Sequence, residues 1–244
     1  MTYGVVTVTR NANATIGRTI ESVLTQTVTP ARWMFVDGGS TDGTLDTIER
    51  ACAAAKNAAI EARLVHQQGR GITNAWNIGV GELDTDIVFI LNADDWYEPD
   101  AGAHVMTAFE RHREAEIVLA AGRYVDPSGN KPPEICRPRP SWVLPAAMSA
   151  IHPACFVRRS VYDRIGLFDE RYAIVADYEF IFRCVSAGVE IETLDAVVVN
   201  VLEGGIATQQ RSVARTEMAE IGERYSRAPL VPKLALQMRR WLDR

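Results

Sequence analysis

The sequence predicts an α/β fold in which a mostly parallel β-sheet carries helices on both faces and a smaller region follows it. Three observations lead there. Short β-branched apolar runs recur at residues 5–9, 33–36, 60–65 and 87–91, the signature of strands buried on both faces. Between them, apolar residues return every three to four positions, the period of an amphipathic helix. Polar clusters follow two of the runs directly, Asp37-Gly38-Gly39-Ser40 and Asn92-Ala93-Asp94-Asp95, at the strand ends where open α/β sheets bind ligands.

Taken in order, residues 5–9 form the first strand, which ends in Arg10 and Asn11. Ile16, Ile20, Val23 and Leu24 then share a helical face, and Pro30 stops that helix. The second strand, 33–36, leads into a turn whose paired glycines permit positive φ. Ser40, Thr41 or Asp42 can cap the next helix, which carries Leu45, Ile48, Ala51 and Cys52. This strand-helix-strand unit implies a right-handed parallel crossover. After the third strand and Gly69-Arg70-Gly71 comes a helix with Ile72, Ala75, Trp76, Gly79 and Val80 on one face. Gly79 and Gly81 each cost that helix about 1 kcal/mol relative to Ala, so close packing or close approach of a substrate is expected in compensation.

Beyond residue 98 the pattern is less regular. Residues 98–115 read as a helix with Val105, Met106 and Phe109 buried, 117–121 and 123–125 as two strands, and 126–130 as a turn. Residues 132–145 are rich in proline and arginine and make the candidate mobile loop. A helix opening at Asp177 buries Phe180, Ile181, Cys184 and Val185 and ends at Gly188; a strand at 197–201 and a helix at 216–225 complete the body. In the tail, 226–244, Leu230, Leu234, Met238, Trp241 and Leu242 share a face with Lys233, Arg239, Arg240 and Arg244 beside them. Such a basic amphipathic helix suits an anionic membrane surface, and equally a face of its own domain or of a homodimer partner.

The 244 residues suffice for one sizeable core. A net charge of −5 argues against nucleic acid, which needs a basic face. The four cysteines contain no C-x-x-C, so neither a zinc site nor a disulfide framework is indicated, and reduced thiols in a cytoplasmic protein are expected. The N-terminus runs straight into the first strand pattern, leaving no room for a signal peptide.

Asn92, Asp94 and Asp95 offer the oxygen ligands that a hard divalent cation takes while keeping coordination positions for phosphate. The same residues would also make an ordinary surface turn. Asp177 at a helix start is either a cap or a base. Arg70 is either a positive contact for an anionic ligand or a solvated loop residue. His152, beside Pro153, reads as a hydrogen-bonded histidine lining the crevice.

Five motifs in this order resemble family 2 glycosyltransferases of the GT-A fold: V-D-G-G-S-T-D-G-T (36–44), G-I-T-N-A-W-N-I-G (71–79), L-N-A-D-D (91–95), G-L-F-D-E-R-Y (166–172) and A-D-Y-E-F (176–180), with F-V-R-R-S-V-Y (156–162) between them. The resemblance implies a Rossmann-like, mostly parallel sheet forming a single domain over 1–225, with a nucleotide-sugar-binding half at 1–98 and an acceptor and catalytic half at 99–225. It implies an inverting transferase that moves a sugar from a nucleotide-diphosphate donor to a saccharide or lipid-linked acceptor, in cell-surface polysaccharide or glycolipid synthesis. The alternative is a catalytically silent nucleotide-sugar or glycan-binding protein of the same fold. On this resemblance Asp177 is the catalytic base. Thr7, Thr9 and Asp37 line the base and ribose pocket, and Asn11, Arg70, Asn77, Asn92, Ala93, Asp94 and Asp95 are further donor-binding residues. Asp94, with Asn92, would ligate Mn²⁺ or Mg²⁺. A position at the inner face of the membrane would follow from a lipid-linked acceptor. The chain departs from the family pattern at Gly38, Gly69, Asn74 and Asn92, which bears on base choice, donor-sugar contacts and metal affinity.

Overall fold

The computed structural model describes residues 1–144, 147–148 and 150–225; the amphipathic tail lies outside the described residues. The predicted alternation is formed by β1 (Tyr3–Thr9), α1 (Ile16–Leu24), β2 (Arg32–Asp37), α2 (Thr44–Asn57), β3 (Glu61–His66), α3 (Ile72–Glu82) and β4 (Ile87–Ile90). β1 pairs in parallel with β2 on one side and β4 on the other, and β2 pairs in parallel with β3. The second half supplies β5 (Trp96–Tyr97), α4 (Ala101–Arg111), β6 (Ile117–Val125), β7 (Glu134–Cys136), β8 (Cys155–Arg158), α5 (Arg159–Ile165), α6 (Ala176–Ser186), β9 (Ile191–Leu202), α7 (Ile206–Gln209) and α8 (Arg211–Tyr225). Among the described residues the strands form one nine-stranded sheet in the order β3-β2-β1-β4-β8-β6-β9-β5, with β7 on β6.

Alternation along the strands explains the two cores. Val6, Val8, Met34, Val36, Val88 and Ile90 pack with α3, α5 and α6 on one face. Tyr3, Val5, Trp33, Phe35, Ile87 and Phe89 pack with α1, α2 and α4 on the other. Continuous apolar runs were therefore required, because each strand feeds both cores.

The second half departs from the simple reading. β8 lies antiparallel between β4 and β6; it has only four residues, too few for a periodic signal. The two strands expected at 117–121 and 123–125 are one strand, β6, whose register against β9 shifts at Ala120, Ala121 and Gly122. There a Cβ on Gly122 would lie 2.1 Å from Ile151 Cδ1, so the glycine marks a bulge rather than a break. α4 starts at Ala101 rather than at residue 98 because the Glu98 backbone continues the pairing with β9, its N–H donating to the Val198 carbonyl (2.9 Å), while its side chain is held by Arg123 (2.7 Å) and Asn200 (2.9 Å). Within the proline-rich segment β7 pairs with β6, and a short 3₁₀ turn follows at Ser141–Val143. Among the described residues no helix is long and apolar enough to cross a membrane.

The helix glycines separate cleanly. A Cβ on Gly79 would sit 2.2 Å from Val6 Cγ1, so α3 lies on β1 at a distance only glycine allows, whereas a Cβ on Gly81 meets nothing within 4 Å. Gly79→Ala is expected to cost about 1–3 kcal/mol through overpacking. Gly81→Ala is expected to gain about 0.5–1 kcal/mol from reduced chain entropy. Urea denaturation of the two variants checks both signs.

Candidate active site

β2, β1 and β4 are neighbours, so Asp37, Thr9 and the turn 92–95 leave the sheet at one edge. Two strand spacings separate the tips of β2 and β4, about 10 Å.

Asp37 is buried and fully engaged. Its Oδ1 accepts from the hydroxyls of Thr9 (2.9 Å) and Ser40 (2.5 Å), and its Oδ2 from the N–H groups of Gly39 and Ser40 (both 2.9 Å). Burial pushes this carboxyl up, but the hydrogen bonds from Ser40, Thr9 and Gly39 together outweigh it and hold Asp37 below its ordinary range. Gly39 adopts φ 86°, the conformation the turn demands. Gly38 does not; its missing side chain leaves room for Gln67, whose Oε1 would lie 2.9 Å from a Cβ there. Asn11, exposed at the end of β1, accepts the Thr41 N–H (2.9 Å) and ties the two tips together. Thr7 corrects the expectation: it is fully buried, and its hydroxyl accepts the Trp33 indole N–H at 3.0 Å, so it belongs to the core rather than to a pocket wall.

The turn 92–95 is fixed by its neighbours. Thr15 donates to the Ala93 carbonyl (2.9 Å) and Thr19 to the Asp95 carbonyl (2.7 Å). Asp95, 2% exposed, accepts the Leu202 N–H (3.1 Å) and the Asn92 amide (3.3 Å). It therefore anchors the end of β9 to the turn. Burial, then repulsion from Asp94, raise Asp95 to about 8, against smaller lowering by Leu202 and Asn92. Because the folded state holds this proton more tightly than an unfolded carboxyl of pKa ~4, ionising Asp95 costs stability, and the cost grows as pH rises from ~4 to 8. In metal-free urea melts, the stability lost between pH 5 and pH 9 is expected to shrink in Asp95→Asn.

Asp94 is half-buried, and burial raises its carboxyl, offset only by its own N–H. No cation of the described residues pairs with it. A partly desolvated carboxylate without a partner fits an ion held by one protein carboxylate and by phosphate oxygens of a substrate; among the described residues no group of three or more His, Cys, Asp and Glu could hold a metal. The Asn92 oxygen, expected beside Asp94 on one ion, accepts from Trp76 Nε1 (3.4 Å), and its nitrogen donates to Asp95 (3.3 Å). Asp94 also lines a cleft of about 600 Å³ with Asn13, Thr15, Arg18 and Trp96. Arg18 lies 4.4 Å over the Trp96 ring; nothing in the apolar periodicity singled out this pair.

From Asn92 an unbroken line leads to Asp177. Trp76 packs against the His152 ring at 4.1 Å, and His152 lines a narrow crevice with Asp177, Cys155, Ile90 and Phe180. His152 lines the crevice as expected but is not hydrogen-bonded there: its Nδ1 is buried without a partner among the described residues. Burial lowers its pKa, and Asp177 opposes that. Asp177 is half-buried, and its Oδ1 accepts the Tyr178 N–H at 2.8 Å. The Tyr124 hydroxyl is raised by burial and further by Cys136, Asp177 and Asp95, so the carboxylate of α6 and the turn after β4 act on one region.

Asn77 and Arg70, both expected at the donor, differ in their surroundings. Asn77 exchanges hydrogen bonds with the Phe168 backbone (both 3.0 Å) and donates to Glu170 (3.1 Å), which makes it a tie between α3 and the loop before α6. Arg70 is exposed and has no partner among the described residues.

Residues 4–166 match the family model for glycosyl transferase family 2. The chain belongs to that family. It is similar to a PGL/p-HBAD biosynthesis glycosyltransferase of Mycobacterium tuberculosis, 30% identical over 189 residues, covering 75% of this chain and 70% of the relative. It also resembles a chondroitin synthase of Pasteurella multocida, 28% identical over 179 residues, 71% of this chain but only 18% of that much longer protein. Among solved structures, S. aureus TarS 1-349 in complex with UDP superposes with a TM-score of 0.71 at 16% identity, over 97% of this chain and 70% of that one. The mannosyltransferase PcManGT of Pyrobaculum calidifontis, solved with GDP-Man and Mn²⁺, gives 0.69 at 20% identity, over 96% and 68%. At these identities the structural likeness establishes the fold. This family 2 glycosyltransferase thus has the GT-A architecture.

Proposed function

We propose that this glycosyltransferase transfers a sugar from a nucleotide-diphosphate donor with inversion, onto a hydroxyl of a saccharide or lipid-linked acceptor in cell-surface polysaccharide or glycolipid synthesis. The observation that carries the reading is the chain of contacts from Asn92, two residues before the unpaired Asp94, through Trp76 and His152 to the crevice that Asp177 lines. Relatives named for glycolipid and polysaccharide synthesis, and solved structures named with UDP and GDP-Man, support the substrate class.

The rim formed by Thr9, Asn11 and Asp37 holds the nucleoside through its backbone and the exposed side of the turn, since the Asp37 carboxylate is already occupied. Exposed Arg70 adds positive charge beside it. Asp94 and the diphosphate oxygens would hold a Mn²⁺ or Mg²⁺, which when bound supplies Lewis-acid stabilisation to the leaving group. Asp177 takes the acceptor hydroxyl proton as the acceptor oxygen bonds to the anomeric carbon; the bond from that carbon to the diphosphate breaks with its electron pair on the diphosphate. One base without a second carboxylate as nucleophile gives inversion. A thermal-shift screen of UDP-, GDP- and dTDP-sugars with and without Mn²⁺ tests the reading. A rise in Tm with one nucleotide class that requires the metal is expected. No shift with any of them would remove the donor assignment, and binding without turnover by any acceptor would favour a silent binding protein.

A further inference from the structure

Asp177 is delivered to its crevice by the loop 165–175, which is clamped at its carbonyls by neighbouring helices. Arg183 donates to the carbonyls of Ile165 (2.6 Å) and Leu167 (2.7 Å), and Thr73 donates to that of Tyr172 (3.1 Å). The N–H groups at the end of the loop pose a separate problem. The residue at the N-cap of α6 is Val175, which has no side-chain acceptor, so its own N–H and those of Ala173 and Ile174 just before it find no acceptor in the cap residue.

A side chain from 42 to 44 positions further along meets them. On α8, Glu217 accepts the N–H groups of Ala173 (3.0 Å), Ile174 (3.1 Å) and Val175 (3.2 Å). Three successive backbone donors converging on one carboxylate form an anion nest, and each bond is charge-assisted. Without it, the nearest carboxylate able to satisfy donors at this helix start is Asp177 itself, two residues beyond Val175. With it, Asp177 gives only Oδ1 to the helix, through Tyr178, and Oδ2 accepts no hydrogen bond among the described residues.

We propose that Glu217 is a positioning residue for sugar transfer: by capping residues 173–175 from α8, it releases one oxygen of Asp177 for the acceptor hydroxyl. This rests on the reading of Asp177 as the base. The helix that carries Glu217 thereby becomes part of the catalytic apparatus without touching substrate.

The test compares Glu217→Ala, Glu217→Gln and Asp177→Asn in the full chain, with donor turnover and nucleotide affinity measured in Mn²⁺ by kinetics and calorimetry. Loss of kcat by ~10-fold or more in Glu217→Ala is expected, with nucleotide affinity within about two-fold of wild type. Glu217→Gln, which keeps one acceptor oxygen, is expected to fall between the two. If Glu217→Ala does not fold, Glu217→Gln is judged by the same split between kcat and affinity. Wild-type kcat in the Glu217 variants beside an inactive Asp177→Asn overturns this proposal alone, as does a parallel loss of kcat and nucleotide affinity, which would mark general loosening. Full turnover by Asp177→Asn overturns the base assignment and this proposal with it.

Discussion

Asp177→Asn is expected to bind donor nucleotide as wild type does while losing transfer by ~10²–10⁴-fold, the range that a positioned general base contributes. The substitution isolates proton transfer because asparagine keeps the size of the side chain and an oxygen that can accept the Tyr178 N–H, now 2.8 Å from Asp177 Oδ1. The helix start keeps that hydrogen bond and loses only the attraction of the carboxylate charge to the helix dipole, worth about 0.3–1 kcal/mol. What disappears is the capacity to hold the acceptor proton. Single-turnover assays with saturating donor should place the whole effect in kcat; wild-type turnover would take Asp177 out of the mechanism.

Asp94→Ala is expected to act on the other half of the reaction. Alanine removes the half-buried carboxylate that has no cationic partner among the described residues, and with it the repulsion that helps to raise Asp95. The metal-free protein should therefore be no less stable than wild type. Mn²⁺-dependent nucleotide affinity should fall on the order of 10²-fold, equivalent to about 3 kcal/mol. Calorimetric titration of UDP and GDP, with and without Mn²⁺, separates the two effects. Affinity in Mn²⁺ equal to that of wild type would show that the ion, if bound, is held elsewhere.

Both variants address carboxylates that were visible in the sequence, and the reason is local. Asp94 follows a five-residue apolar run and Asp177 opens an amphipathic helix, so the period of the backbone alone puts one at a strand tip and the other at a helix start. The same periodicity located β1 to β4 and their helices, since strands that feed two cores must be apolar throughout. Family 2 membership follows from residues 4–166, which take in those strands and run on through β8 and α5.

What periodicity does not carry is the choice of partner. Asp37, Asn77 and Asp95 share the residue types of a binding site, yet Asp37 is filled by Thr9, Gly39 and Ser40, Asn77 by the loop before α6, and Asp95 by the end of β9. Thr7 looked like Thr9 in the sequence, and the two-residue period even puts both on one side of the strand; only the arrival of the Trp33 indole decided that Thr7 is core. The insertion of four-residue β8 between β4 and β6, which brings His152 and Asp177 beside the turn after β4, has no local signal at all. The sequence by itself determined where strands end and which carboxylates stand at those ends, because these depend on contacts a few residues apart. Which of those carboxylates remain free to meet a substrate was decided only by the tertiary structure, because a hydrogen-bond donor that occupies an oxygen can come from any distance along the chain.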